Sequence, residues 1–366
     1  MRRGESSRAR TVGAAPERPV QTPGRGRVER LALDSRVLRG NPLGDPAIRT
    51  LPVYLPPGYD ETDRRYPVLY ALAGFTGRGA QLLNVTGWGE SLDQRLDRLF
   101  AEGRIGPMLV VFPDCFTRYG GSQYINSSAV GRYADYLHQE IVPFVDRTFR
   151  TLASPRHRGV FGKSSGGYGA FWHGMQHPDV FGAVACHSGD MGFEYCYFPD
   201  FPKLLNQLDH CGGMAGFLRV FAVAPRKTND LIAAMNILAM AACYSPNPRR
   251  GPFRFDLPFD VQTGAPDAAA WRRWLAFDPL RVAPRRQGAL RRLQLLFFDC
   301  GRRDEFHLLW GARQMAALLR KAGVPHVYEE FDDGHMDISY RFDRSLPLLW
   351  KAVRPKTPLR AWRHGA

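Results

Sequence analysis

Residues 159–171 read GVFGKSSGGYGAF, an apolar run followed by the pattern Gly-x-Ser-x-Gly at residues 162–166. At the end of a buried strand, this pattern makes a sharp turn into a helix that holds the serine oxygen in the open. Both glycines are needed, because a larger side chain would collide with the neighbouring strand and helix. Small residues continue to Ala170, as a helix packed closely on a sheet requires. The stretch predicts a strand, a nucleophile turn at Ser164 and a helix.

Apolar runs alternate with helical patterns along the rest of the chain. Continuous apolar runs of four to eight residues are typical of strands buried on both faces. Strand–helix alternation predicts an α/β fold with a mostly parallel central sheet and right-handed crossovers. The first two predicted strands form an antiparallel start. The predicted strands are Val28–Val37, Ile48–Leu55, Val68–Ala73, Met108–Phe112, Gly159–Phe161, Ala183–Cys186, Leu293–Asp299 and Val327–Phe331, and the clearest helices are Leu92–Glu102 and Tyr133–Phe149.

Residues 190–284 interrupt this rhythm. Their one candidate strand is Leu218–Val223, and the segment Leu231–Ala242 is helix-like. A loop rich in proline and arginine and several aromatic residues follow. We interpret residues 190–284 as a largely helical cap inserted into the sheet domain, which leaves residues 28–189 and 285–353 as its two halves.

The chain has 366 residues and a formal charge of +15, which raises the question of nucleic-acid binding. Residues 1–30 carry a net charge of +5 and residues 351–366 another +5. The basic excess therefore lies mostly in the terminal regions, and no zinc-finger or RNA-binding motif accompanies it. We predict a disordered basic tail over residues 1–27, a basic tail over residues 354–366 and no nucleic-acid partner.

Several classes of protein are disfavoured by missing patterns. No run of about eighteen apolar residues occurs, so we expect no membrane span. No apolar segment follows Arg2-Arg3 and the six cysteines show no regular spacing, so we expect a cytoplasmic protein with reduced thiols. No metal-ligand spacing and no nucleotide-binding glycine loop is evident, which predicts no metal and no cofactor. The sequence is compatible with a homo-oligomer.

A serine hydroxyl is a weak nucleophile and needs a histidine base within hydrogen-bond reach. In folds with this serine turn, the chain order is serine, acid, histidine. His335 is the best candidate base, because it follows the last predicted strand and Gly334 precedes it. His307, at a predicted helix start, and His326, at a strand entry, are alternatives.

The acid that orients the histidine should lie on the loop after the preceding strand. That loop contains Asp304, which we favour, together with Asp299 and Glu305. Asp299 lies closer to the strand end and could brace the loop, whereas Glu305 could start the following helix. Asp332 and Asp333 adjoin the histidine and are poorly placed to reach its Nδ1.

An oxyanion needs two preorganised N–H donors. We predict the backbone amide of Ser165, directly after the nucleophile, and that of Phe75, after the Val68–Ala73 strand. The candidate substrate-binding residues lie in glycine-rich loops on the same side of the predicted sheet: Gly74, Trp88, Tyr124 and Asn126.

The chain resembles the esterase D and enterochelin-esterase branch of the α/β-hydrolases. The matching segments, in order, are residues 53–59 (VYLPPGY), 66–70 (YPVLY), Gly74-Phe75, 142–145 (VPFV), 162–170, 299–306 and Gly334-His335. This resemblance implies the α/β-hydrolase fold of a serine carboxylic-ester hydrolase, with Ser164, Asp304 and His335 as nucleophile, acid and base, whereas the long segment 190–284 departs from the generic pattern of the family. Residues 75–78 lack the cysteine that S-formylglutathione hydrolases carry in the oxyanion loop, which argues against formylglutathione as substrate.

The leading hypothesis is a serine carboxylic-ester hydrolase that acts on a small-molecule ester through an acyl-enzyme. An acyltransferase with the same triad and a non-catalytic binding protein of the same fold are the alternatives. The sequence determines neither the acyl nor the alcohol part of the substrate.

Overall fold

The computed structural model of the protein describes residues 24–356. Within these residues the main sheet has eight strands, and there are twelve helices besides short 3-10 turns. The strands are β1 (Arg27–Asp34), β2 (Ile48–Leu55), β3 (Val68–Leu72), β4 (Leu109–Val111), β5 (Arg158–Lys163), β6 (Ala183–His187), β7 (Leu295–Gly301) and β8 (Val327–Phe331).

The helices before the interrupting segment are α1 (Leu92–Ala101), α2 (residues 133–148) and α3 (Ser165–Gln176). The helices that follow in chain order are α4 (Phe193–Tyr197), α5 (Phe201–His210), α6 (Met214–Val223), α7 (Asn229–Tyr244), α8 (Ala268–Leu275), α9 (Pro279–Val282), α10 (Gln287–Arg291), α11 (Leu308–Lys321) and α12 (Phe342–Val353).

The sheet order is β1-β2-β4-β3-β5-β6-β7-β8. β1 pairs antiparallel with β2, and β2 with β4, while all other neighbours are parallel. The carboxyl ends of β3, β5, β6, β7 and β8 therefore meet at one edge, where ligand sites of such sheets form. This agrees with the predicted α/β class and places the predicted serine, acid and histidine loops side by side.

Eight of the predicted strands occur, with ends that differ from the prediction by up to a few residues. The ninth segment, Leu218–Val223, which we predicted as a candidate strand, belongs to helix α6. A short apolar run does not distinguish a strand from a buried helix turn. In α6 the burial is one-sided, since Phe217 is fully buried whereas Val223 is largely exposed, and this pattern fits a helix.

Helix α2 has an irregular centre. It runs as an α-helical turn (Tyr133–Asp135), a π-helical turn (Tyr136–Ile141) and a second α-helical segment (Val142–Thr148). Pro143 lacks the N–H that the carbonyl of Gln139 would accept from in an α-helix, and its ring would crowd that carbonyl. The wider π turn accommodates the proline.

Residues 190–284 form helices α4 to α9, and they share one apolar core with the sheet domain. Tyr168 of α3 contacts Phe193 and Tyr244 of the insertion at ring-centroid distances of 6.2 and 6.1 Å. The Tyr168 hydroxyl donates a hydrogen bond of 3.1 Å to the Phe277 carbonyl. The insertion is thus anchored directly on the helix that follows Ser164.

The predicted tails lie mainly outside the described residues, which exclude residues 1–23 and 357–366. Within residues 24–356, no helix is long and apolar enough to cross a membrane. All six cysteines are free thiols, in agreement with the prediction of reduced cysteines.

Candidate active site

Ser164 occupies a strained turn between β5 and α3. Its backbone has φ 58° and ψ −128°, values that a non-glycine residue adopts only when its surroundings enforce them. A Cβ at Gly166 would lie 2.0 Å from the Leu72 carbonyl oxygen, and one at Gly162 would lie 2.4 Å from the same atom. Only glycine fits at these two positions. The turn leaves the Ser164 residue partly exposed at the carboxyl edge of the sheet.

The structure brings Asp304 and His335 together at this edge. Asp304 Oδ2 lies 2.8 Å from His335 Nδ1, and both side chains are almost completely buried. The other carboxylate oxygen accepts hydrogen bonds from the backbone amides of Phe306 and Leu308. These bonds fix the carboxylate, and the carboxylate in turn fixes the orientation of the imidazole.

Glu305 holds the histidine loop, a contact that the sequence analysis missed. The backbone amide of His335 donates a hydrogen bond of 2.6 Å to Glu305 Oε2. Gly334 leaves room for this carboxylate, because a Cβ there would lie 2.5 Å from Glu305 Oε1 and would displace the side chain. Glu305 precedes α11 without belonging to it, so it serves the loop and not the helix start that we considered.

The alternative acid and bases have other partners. Asp299 lies within hydrogen-bond distance of His187 Nδ1 and accepts from Arg341 Nε, each at 2.8 Å. His326 Nδ1 contacts the Val324 carbonyl at 2.8 Å, before β8. His307 immediately precedes α11 in a left-handed conformation. Among the candidate acids and bases, Asp304 and His335 are therefore the pair whose side chains contact each other.

The Ser164 hydroxyl and the His335 imidazole share no hydrogen bond in the structure of residues 24–356. His335 Nε2 has no hydrogen-bond partner among these residues either, so it is free to act on a ligand. Catalytic hydrogen bonds are often long before substrate binds and tighten in the complex.

The two predicted oxyanion donors are the backbone amides of Phe75 and Ser165. Within the described part of the chain, neither the Phe75 nor the Ser165 amide donates a backbone hydrogen bond. Gly74 packs against Ser164, since a Cβ at this position would lie 3.5 Å from Ser164 Cβ. Tyr124 braces the same loop by donating a buried hydrogen bond of 2.7 Å to the Ala73 carbonyl.

The remaining candidate substrate-binding residues are on exposed loops. The Trp88 side chain is completely exposed. Asn126 is exposed as well, and its side-chain oxygen accepts a hydrogen bond of 3.1 Å from the backbone amide of Asp135. Of the four candidates, Gly74 lies next to Ser164. Tyr124 and Asn126 make their described hydrogen bonds to other residues, and Trp88 is fully exposed.

A buried polar network links the site to the insertion. The Asp190 carboxylate accepts hydrogen bonds of 2.9 Å from Gln123 Nε2 and from the Tyr197 hydroxyl. Burial raises the pKa of Asp190, and these two hydrogen bonds and the nearby His335 partly offset the increase. The network ties the loop before Tyr124 to helix α4.

A charged cleft of about 260 Å³ borders the predicted oxyanion loop through Arg78. Arg49 and Arg78 both lie within 4 Å of Asp114, at 3.6 and 3.8 Å. Lys163, beside the nucleophile, is half-buried, and burial lowers its pKa.

Comparisons with known proteins identify the family of this chain. Residues 47–347 match the Esterase family, described as "Putative esterase". An endo-1,4-beta-xylanase/feruloyl esterase of Xylanibacter ruminicola is 30% identical over 153 residues, which are 39% of this chain and 20% of that protein. An esterase of Mycobacterium tuberculosis is 24% identical over 307 residues, which are 83% of this chain and 56% of that protein.

The chain thus spans about half or less of the length of these two relatives. Among solved structures, a ferulic acid esterase superposes with a TM-score of 0.57 at 20% identity, over 90% of this chain and 99% of that one. This similarity shows a shared fold. The family match covers most of the chain, and the protein is a member of the Esterase family.

Proposed function

We propose that the protein is a carboxylic-ester hydrolase that forms an acyl-enzyme on Ser164. The observation that carries the proposal is the buried Asp304–His335 pair at the sheet edge that also carries the strained Ser164 turn. Family membership and the relatives' names, which include esterase and feruloyl esterase, support an ester substrate.

In the proposed first step, Ser164 Oγ attacks the ester carbonyl while His335 Nε2 takes the hydroxyl proton. Asp304 holds the Nδ1 proton of His335 and stabilises the imidazolium that forms. The carbonyl oxygen becomes an oxyanion, and the amides of Phe75 and Ser165 donate hydrogen bonds to it. The imidazolium then protonates the departing alkoxide, which leaves as an alcohol. The acyl group stays on the enzyme as an ester of Ser164.

In the second step, His335 removes a proton from water, and the resulting nucleophile attacks the acyl carbonyl. The same two amides bind the second oxyanion. Collapse of this intermediate releases the carboxylic acid and returns the proton to Ser164 Oγ. No cofactor takes part in either step, since the proton transfers all pass through His335.

The geometry divides the candidate substrate-binding residues between two roles. Gly74 would allow the substrate to approach Ser164 closely, because its missing side chain leaves the space beside the nucleophile open. Trp88 offers an exposed aromatic face to a bulky part of the substrate. Tyr124, which is buried and bonded to Ala73, would position the oxyanion loop, and Asn126 would support the start of α2.

The test is hydrolysis of p-nitrophenyl esters from acetate to decanoate and of methyl ferulate. We expect burst kinetics with activated esters and a loss of at least about a thousandfold in kcat for Ser164→Ala. Ser128→Ala, which alters an exposed serine elsewhere, should retain full turnover. Turnover by Ser164→Ala within about tenfold of the wild type would overturn the proposal.

A further inference from the structure

Three histidines lie together away from the Ser164 site. His173 and His177 are at the carboxyl end of α3, and His138 is in the π-helical turn of α2. One ring nitrogen from each lies within 4.8 Å of the others. The ring centroid of His138 is 4.5 Å from that of His173 and 3.9 Å from that of His177.

The imidazoles at the centre of this cluster lack the partners that buried polar groups normally have. His173 is completely buried, and neither of its ring nitrogens has a hydrogen-bond partner. His138 Nε2 is buried and unpartnered as well. An unsatisfied buried polar atom costs about 1–3 kcal/mol, so unpartnered nitrogens on two adjacent rings indicate an absent ligand.

The backbone around the cluster aims the rings at one another. Residues four apart on a helix share a face, which places His173 and His177 side by side. The π turn, which Pro143 favours, inserts His138 into the same space, and such turns are frequent at functional sites. Phe181 forms an apolar wall, with its ring centroid 5.9 Å from His138 and 6.2 Å from His173.

Each ring can offer one nitrogen lone pair to a metal ion, and the three nitrogens converge on one point. Three converging imidazole nitrogens form the donor set that borderline-soft divalent metal ions prefer.

We propose that His138, His173 and His177 bind one divalent transition-metal ion of the zinc class. Three imidazole ligands favour zinc, cobalt, nickel or copper over magnesium and calcium, which prefer oxygen. Because His138 and His177 are partly exposed, the ion has a route from solvent and water supplies the remaining ligand.

The ion would clamp α2 to the carboxyl end of α3. Ser164 precedes His173 by nine residues, which is about 14 Å along a helix, so the metal does not reach the ester. Its role is structural, and the site is independent of the proposed hydrolase activity.

The test uses the full chain without an affinity tag, treated with chelator and then titrated with Zn²⁺ and, separately, Co²⁺. We expect one ion per chain by calorimetry, visible Co²⁺ absorption bands typical of a nitrogen-rich tetrahedral site and a higher Tm with Zn²⁺. His177→Asn and His138→Gln should each weaken binding by at least about a hundredfold. His210→Asn, which removes an exposed histidine of α5, should bind as the wild type does.

Ser164→Ala should bind zinc as tightly as the wild type, so that failure of this proposal is distinguishable from failure of the proposed hydrolase activity. A wild-type chain that binds no stoichiometric Zn²⁺ or Co²⁺ would overturn the metal site. Wild-type affinity in both His177→Asn and His138→Gln would also overturn it. If the variants fail to fold, the Co²⁺ spectrum and Tm shift of the wild type decide the question alone.

Discussion

At the scale of single residues, two histidine–aspartate pairs contrast with each other. His187 contacts Asp299 through Nδ1 and the Ser345 hydroxyl through Nε2, both at 2.8 Å and both buried. Its two ring nitrogens are satisfied, so this pair joins β6, β7 and α12. His335 has the same bond to an aspartate, but its Nε2 has no partner within residues 24–356. The open nitrogen makes His335 the better base.

Replacing each of the two aspartates with asparagine tests this distinction. We expect Asp304→Asn to lower kcat by about a thousandfold or more, because the amide favours the wrong histidine tautomer. Its Tm should change little. Asp299→Asn is the matched control and should lower Tm, because Arg341 loses a buried carboxylate, while kcat of the folded enzyme is largely retained. Kinetics and thermal unfolding of both variants measure this, and a reversed pattern would assign the catalytic acid to Asp299.

At the scale of elements, the turn between β5 and α3 depends on close backbone packing. Gly166 faces the backbone of β3 and not a flexible side chain, so nothing nearby can yield without moving a strand. The same contact keeps the start of α3 against the sheet. Helix, turn and strand therefore position Ser164 as one unit.

Gly166→Ala should lower the free energy of unfolding by about 2–4 kcal/mol and abolish turnover, because the added methyl overlaps the Leu72 carbonyl. Gly288→Ala is the control, since a Cβ in this turn of α10 meets no atom within 4 Å. We expect that variant to gain about 0.5–1 kcal/mol from the higher helix propensity of alanine. Urea unfolding of both chains checks the signs, and an active, stable Gly166→Ala would contradict the packing argument.

The oxyanion loop gives a second test at this scale. Tyr124→Phe removes the hydroxyl that donates to Ala73, which frees the loop that carries the Phe75 amide. We expect kcat to fall by about tenfold with little change in KM, because the loss acts on the transition state.

Tyr66→Phe is the matched control, because it removes a buried hydroxyl whose hydrogen-bond partner within residues 24–356 is the Thr62 hydroxyl, at 2.9 Å. It should cost about 1 kcal/mol of stability and leave kcat unchanged. Equal effects of the two substitutions on kcat would show that Tyr124 has no special role.

At these two scales, much of the fold follows from the sequence. The eight strands and the Ser164 turn could be predicted because glycine spacing and apolar runs are local signals. The sequence did not predict the Glu305–His335 contact, the Asp190 network or the histidine cluster. The sequence analysis found no metal-ligand spacing and so missed His173 and His177, which are four residues apart, and the third member, His138, lies 35 residues before His173.

At the scale of the whole molecule, ion pairs connect elements from opposite ends of the chain. Asp343 of α12 accepts hydrogen bonds of 2.9 and 2.7 Å from Arg98 of α1, and it also pairs with Arg95. Burial raises the pKa of Asp343, but the hydrogen bonds from Arg98 and Arg95 outweigh this effect, so the pKa lies below 3.8. The ionised carboxylate therefore stabilises the contact between α1 and α12.

This pair predicts a pH dependence of stability. Because the folded-state pKa is below the unfolded value, the contribution of Asp343 is full above about pH 4 and is lost as the pH falls through the folded-state pKa. Asp343→Asn should lower the free energy of unfolding by about 1–2 kcal/mol at pH 7. Urea unfolding at pH 7 and at successive values below pH 4 should show the difference shrinking. A difference that is constant with pH would mean that the charge does not contribute.

The sequence by itself determined the strands of the sheet, the serine turn and the loops that carry the candidate acid and histidine, because each is marked by residues close together in the chain. The tertiary structure decided which aspartate contacts His335, how the insertion packs on Tyr168 and which histidines meet between α2 and α3. The physical reason is that these contacts depend on the spatial order of strands and helices. Hydrogen bonds and burial reach only a few ångströms, so their partners are defined by the folded packing and not by distance along the chain.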